Sequence, residues 1–157
     1  MHRHYEISQI LTVSTAHLHP WTRNRITACG GELLHCPLIA IREHGFFVNS
    51  SFQCCNAFIN DFSLSNESTL ADSAPDLALL RVLARGLRAT WINIDCDGDI
   101  YTETLPTYDD DGTISLPTDL SAPAGLFDIR KVEFGVEMAW PSLGYLLSLA
   151  FGNAHLR

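Results

Sequence analysis

Basic side chains are scarce in this chain: ten Lys and Arg stand against eighteen Asp and Glu, and Lys131 is the single lysine. Direct binding of nucleic acid is thereby disfavoured, because neutralising phosphates needs a concentrated patch of cations and these ten are dispersed. Long apolar runs are missing as well. The longest, Leu143 to Phe151, is interrupted by Gly144, Tyr145 and Ser148, too short and too polar for a membrane span. No C-x-x-C pair occurs among Cys29, Cys36, Cys54, Cys55 and Cys96; the number is odd, the neighbours Cys54 and Cys55 are awkward to bridge, and reduced thiols are expected. The opening Met1-His2-Arg3-His4-Tyr5-Glu6 has no apolar signal region behind its charges, so a cytoplasmic location is expected. There is no internal repeat and no low-complexity run.

What is present is a globular composition, 46% hydrophobic over 157 residues, enough for one domain spanning 1–157 with a core that needs no staple. Its charge is unevenly placed. Between Arg88 and Arg130 there is no lysine or arginine, yet Asp95, Asp97, Asp99, Glu103, Asp109, Asp110, Asp111, Asp119 and Asp128 fall there. The rest of the chain is close to neutral, so the net charge of −8 belongs to this stretch. Such a block is solvated, bound to a cation, or offered to a basic partner.

The β-branched run Ile7 to Ser14 predicts a strand. Ser14 or Thr15 then caps a short helix running to about Cys29, stopped by Gly30-Gly31. Pro37–Arg42 and Phe46–Asn49 flank Glu43-His44-Gly45 as a hairpin, and Ser50 to Ser73 reads as irregular. Ser73 and Pro75 open a helix to about Arg88, with Leu77, Leu80, Leu83, Ala84 and Leu87 on one face and Arg81, Arg85 and Arg88 on the other. Thr90–Asp95 is expected to be a strand that turns at Asp97-Gly98 and returns antiparallel through Ile100–Thr104. A breaker-rich loop follows. Lys131–Met138 alternates as a last strand, and Pro141 to about Gly152 forms a C-terminal helix.

Several segments carry recognisable chemistry. Ile92-Asn93-Ile94-Asp95-Cys96-Asp97-Gly98 resembles the first motif of the haloacid-dehalogenase-like phosphotransferases, which implies Asp95 as nucleophile, Asp97 as acid/base and magnesium alongside. Asp99 after the glycine, the position far from the chain start and the lack of a βαβ series depart from that family; a D-G turn closing a hairpin accounts for the same residues. Asn93, Asp95, Asp97 and Gly98 also match the opening spacing of a calcium loop, but position 12 is Thr104 and the flanks read as strands. His17, His19, Cys29, His35, Cys36, Cys54 and Cys55 offer zinc-type ligands without the paired spacing that makes such a site specific. Asp109-Asp110-Asp111-Gly112 has the plainest physics: three adjacent carboxylates cannot enter a core, because an unpaired buried charge costs several kcal/mol. They must be exposed, either as a solvated loop or as a surface imitating phosphates, with Trp91, Tyr101 or Tyr108 as aromatic anchors.

Val13-Ser14-Thr15-Ala16-His17-Leu18, the helix from Asp76-Leu77 through Ala84-Arg85, Trp91 to Gly98, and Leu105-Pro106-Thr107-Tyr108-Asp109 together resemble an uncharacterised domain family carried on bacterial plasmids and integrative elements, over roughly residues 8 to 111. The resemblance implies no catalytic residue. It implies a setting of mobile DNA, where small acidic proteins antagonise host defences such as restriction or CRISPR systems.

The resulting expectation is a single α+β domain: a largely antiparallel sheet with helices mainly on one face, an acidic hairpin and loop over 90–128, and a strand and helix over 129–152. Asp97, Asp99, Glu103, Asp109, Asp110 and Asp111 are the expected contacts to the basic surface of a host nucleic-acid-binding complex. No catalytic residue, metal or cofactor is assigned, and neither a membrane nor nucleic acid is an expected direct partner.

Overall fold

The computed structural model describes residues 9–28, 39–50, 74–117, 126–132 and 135–151. Its main sheet has four strands, β1 (Ile10–Ser14), β2 (Ile39–Arg42), β3 (Gly45–Asn49) and β4 (Trp91–Asp95), in the order β1-β4-β3-β2. β4 runs parallel to β1 and antiparallel to β3, with Ile92 beside Leu11 and Val48, and Ile94 beside Val13 and Phe46. Because strand side chains alternate, these apolar residues share one face. Val13, Phe46, Val48, Ile92 and Ile94 are buried there, while Thr12, Phe47, Trp91, Asn93 and Asp95 project from the other. The hairpin expected around Glu43-His44 forms, and Gly45 belongs to β3.

Among the described residues the α+β fold has three helices: α1 (Pro20–Ala28), α2 (Pro75–Gly86) and α3 (Leu143–Ala150). α2 is the core helix, buried continuously from Pro75 to Ala84. It packs on β4 and against α3 and the hairpin that precedes α3. Each fully buried leucine on it removes enough apolar surface to contribute about 2 to 3 kcal/mol. Because α2 is covered on several sides, the three arginines opposite its leucine stripe do not share one environment: Arg88 is exposed, whereas Arg81 is fully buried and engaged inside the protein. Ser73 lies outside the described residues, and the N-cap position of α2 is Ala74, which makes no side-chain cap.

Three further expectations are corrected. The helix from Ser14 to Cys29 is two pieces: Ser14 Oγ caps a single 3-10 turn, Thr15–His17, by accepting from the Ala16 N–H, and α1 starts afresh at Pro20. Proline disfavours helical backbone at the residue before it, here His19, so one continuous helix cannot pass. The hairpin over 90–104 does not form. β4 already has neighbours on both edges, which leaves no ladder for a returning strand. The chain instead crosses the carboxyl end of β1, where Ser14 N–H donates to the Asp99 carbonyl at 2.8 Å. Finally, the alternation over Lys131–Met138 spans the end of one strand, a turn and the start of another. β7 (Phe127–Lys131) and β8 (Glu137–Pro141) pair antiparallel, with Gly135 at φ 75° reversing the chain. α3 follows, capped by Ser142 Oγ.

Between these lies the shortest hairpin, β5 (Thr107–Tyr108) with β6 (Ile114–Ser115), turning through Asp109 to Gly112. Among the described residues strand pairing is therefore largely antiparallel, with β1 and β4 the parallel exception. Of the stretch expected to be irregular, Ser50 to Ser73, residues 51–73 lie outside the described residues, as does the Cys29 end of the first helix. No helix of the described residues is long and apolar enough to cross a membrane.

Candidate functional site

The segment from Asp95 to Gly112 wraps around the turn Thr15–His17, and His17 holds it there. The ring is buried at 3% exposure. Nδ1–H donates to the Pro106 carbonyl at 2.8 Å, and Nε2 accepts from the Tyr101 N–H at 3.0 Å. That pairing fixes one neutral tautomer, and burial lowers the His17 pKa against the opposing hydrogen bond to Pro106. Both ends of the loop 101–106 are thus tied to one side chain. The loop is tightened further by Leu105 N–H donating to the Tyr101 carbonyl at 2.9 Å.

A second anchor seats the acidic turn. Asp76, in the first turn of α2, is buried, and its Oδ2 accepts from the His19 N–H at 2.8 Å while Oδ1 accepts from Thr22 Oγ1 at 3.0 Å and Leu77 N–H at 2.9 Å. Burial pushes its pKa up to about 6, against the pull of those donors. The carboxylate joins the start of α2 to the start of α1. His19 in turn caps α1 through Nδ1, which accepts from the Trp21 N–H at 2.9 Å, and its ring lies edge-on to Tyr108 at 5.4 Å. Burial, then the Arg23 charge, lowers the His19 pKa. Gly112 rests on the same ring: its φ is 87°, and a Cβ there would stand 2.7 Å from His19 Nε2. Tyr108 is itself buried and its hydroxyl accepts from the Ala139 N–H at 3.2 Å, so it is a core residue and not the exposed anchor expected of it. Burial raises its pKa, with the Asp76 charge adding to the effect.

On this frame Asp97, Asp99, Glu103, Asp109, Asp110 and Asp111 are all exposed. Asp110 meets Arg23 of α1 at 3.6 Å, a distance and exposure at which an ion pair contributes little. Asp111 accepts from the Thr113 N–H at 2.9 Å, and hydrogen bonding to Thr113, first to its side chain and then to its backbone, holds the Asp111 pKa low. Of the aromatic anchors, Tyr101 is 39% exposed, and Trp91 is half-buried and stacked on Phe47 at 4.8 Å. Ile100, beside Tyr101, is 55% exposed. Apolar side chains are therefore interleaved with the carboxylates.

The D-x-D-G segment ends β4. Asp95 Oδ1 accepts from the Asp97 N–H at 2.9 Å, and Gly98 is demanded by packing, since a Cβ would come 2.5 Å from the Val13 carbonyl. Ligand atoms of Asp95, Cys96 and Asp97 lie within 4.8 Å of one another. The Cys96 thiol is pushed up, first by desolvation and then by its two aspartate neighbours, which disfavours a thiolate nucleophile. Asn93 and Asp95 belong to β4, so the calcium-loop spacing falls on extended backbone. For zinc, both nitrogens of His17 are committed to backbone partners; Cys29, His35, Cys36, Cys54 and Cys55 lie outside the described residues.

The pairing of Asp76 with His19 escaped sequence reasoning. An acidic residue after Pro75 looks like an ordinary first-turn acid, and nothing in the sequence marks a partner 57 positions away.

Comparison with known families matches residues 10–110 to the domain described as Family of unknown function (DUF5983) C-terminal domain, and the chain belongs to that family. The match runs from the first residue of β1 into the acidic turn. No curated protein and no solved structure matches the chain.

Proposed function

We propose that this chain is a cytoplasmic, non-enzymatic binding protein from mobile DNA. Asp97, Asp99, Glu103, Asp109, Asp110 and Asp111 dock onto the basic groove of a host nucleic-acid-binding defence complex, of anti-CRISPR or anti-restriction type, and exclude its nucleic acid. The observation that carries this reading is the exposure of all six carboxylates on one segment pinned by His17 and seated on His19. Charges held in place lose little freedom on binding, so more of their attraction is realised as affinity and association rate. Ile100 and Tyr101 give the surface apolar contacts that do not depend on salt.

The test is capture of the partner from host lysate at low and high salt, followed by competition with duplex DNA or RNA. Wild-type protein should displace the nucleic acid, with affinity falling steeply as salt rises. Replacing Asp109, Asp110 and Asp111 together by lysine should abolish displacement; unchanged displacement overturns the reading.

A second reading rests on the Asp95, Cys96 and Asp97 ligand atoms at the carboxyl end of the parallel pair β1 and β4. There the protein is a magnesium-dependent phosphohydrolase with Asp95 as nucleophile and Asp97 as acid/base. Turnover of a phosphomonoester, lost in Asp95→Asn, supports it, and no turnover across a panel of divalent metals disposes of it.

A further inference from the structure

The outward face of the main sheet carries an arrangement that the acidic surface alone does not use. Phe47 of β3 and Trp91 of β4 stack nearly parallel, 13° between planes with centroids 4.8 Å apart. Both rings are half-buried and keep part of their surface in water. The guanidinium of Arg42 already sits 5.5 Å from the Phe47 centroid, so the outer face of this stack takes a planar cation within the chain itself. The far side of Trp91 looks toward β1, where its register partner Ile10 is 54% exposed. Farther along the same face of β4, past Asn93, comes the half-buried carboxylate of Asp95, and beyond it the exposed Asp97 and Asp99.

We infer that this face binds an extended, arginine-bearing segment of the basic partner, one guanidinium stacked on Trp91 and a second, four residues away, paired with Asp95 and Asp97. The inference rests on the acidic-surface reading and names the side chain it recognises. Three observations converge on it. Arg42 covers the Phe47 side, while the end of the face beyond Asn93 carries Asp95, Asp97 and Asp99, so the occupant of the stretch from Trp91 to Asp97 is cationic. The floor is an aromatic pair, and a flat, delocalised guanidinium stacks on such a ring where a strongly hydrated ammonium does so less well. The spacing is that of a strand: Trp91 and Asp95 are four residues apart, about 13 Å in extended backbone, which an extended peptide with arginines four apart reproduces. Lysine answers the first and third of these requirements and only partly the second.

The probe is a heptapeptide with arginine at its second and sixth positions and glycine or serine elsewhere, set against the same peptide with lysine at both. Titrated into full-length protein at low salt, the arginine peptide should bind roughly threefold to fivefold more tightly than the lysine peptide, the range that one partly exposed cation–π contact supplies. Trp91→Leu should erase that preference and leave a weak affinity common to both peptides. Asp97→Lys with Asp99→Lys should weaken both peptides alike. A second arm does not depend on the folding of the leucine variant: with Trp21→Phe and Trp140→Phe, Trp91 is the sole indole of the three in the chain, and its emission should change on titration with the arginine peptide, and by less at saturation with the lysine peptide. Equal affinity of wild type for the two peptides, an unchanged preference in Trp91→Leu, or a silent Trp91 overturns the inference while leaving the acidic-surface reading standing. Failure of both peptides to bind at low salt removes both. Concentration-dependent dimerisation that is lost in Trp91→Leu overturns it in favour of a second copy as the occupant.

Discussion

His17 and Pro106 are 89 positions apart in sequence and joined by a 2.8 Å hydrogen bond in which the ring Nδ1–H donates to the backbone carbonyl. With Nε2 occupied by Tyr101 N–H, this one buried side chain closes the loop that leads to the acidic turn. His17→Ala leaves the buried Pro106 carbonyl unpaired, at about 1 to 3 kcal/mol, and frees the partly buried Tyr101 N–H at a smaller cost. Urea unfolding should register a loss of that order. Binding of the partner should weaken as well, although no charge has been removed.

The same residue sets a pH dependence. Its pKa is lowered in the fold, so the neutral ring is the form the fold prefers. The stability it confers is complete above the unfolded value of about 6.5 and is lost as pH falls through the folded value. Nuclear magnetic resonance titration of the ring should place its transition below that of an unfolded histidine, and a normal or raised transition contradicts the geometry.

Asp76 acts with the opposite sign. Its pKa rises in the fold from 3.8 to about 6, so its contribution to stability is present at low pH and is lost as pH climbs between those values. Asp76→Asn cannot ionise. The stability of the variant relative to wild type should therefore improve on going from pH 4 to pH 7, by up to about 3 kcal/mol, whatever the fixed cost of misplacing an amide opposite His19. Unfolding curves at four pH values give the difference directly, and a flat difference refutes the buried carboxylate.

Glycines separate packing demands from incidental use. Gly98→Ala sets a methyl 2.5 Å from the Val13 carbonyl, a backbone atom that cannot swing aside; a loss of about 1 to 3 kcal/mol is expected. Gly112→Ala adds left-handed strain of about 1 to 2 kcal/mol to a contact with His19 and should shift the acidic turn. Gly144→Ala is the control: it is helical with nothing within 4 Å of the new methyl, and a gain of about 0.4 to 1 kcal/mol is expected. Thermal midpoints of the three variants should rank accordingly.

Asp97→Lys, Asp99→Lys and Glu103→Lys combined test whether the surface charge serves binding and not folding. These side chains are exposed, and substitutions at such positions change stability by about 0.5 kcal/mol or less each. The combined variant should fold with little change in its unfolding midpoint and lose partner affinity at low salt. A collapse of stability instead would mean that the carboxylates serve the fold.

Local pattern determined a good deal of this protein. Runs of β-branched and aromatic residues bounded by polar or turn residues marked β1, β4 and the β2–β3 hairpin, because such side chains fit a pleated, half-buried surface. The leucine spacing after Pro75 marked α2, since one helical stripe must leave water. Three consecutive aspartates could only be placed outside, as the cost of burying them dictates. Tertiary structure decided the rest. Whether Ile100–Thr104 returns as a strand depended on the edges of β4, and those are filled by β1 and β3 from elsewhere in the chain. Arg81 is buried because other elements cover α2 on more than one side. His17, His19 and Asp76 hold the acidic segment through partners that no local spacing specifies. Periodicity and charge act over a few residues and can be read along the chain, whereas the partner of a buried polar group is chosen only when distant segments meet.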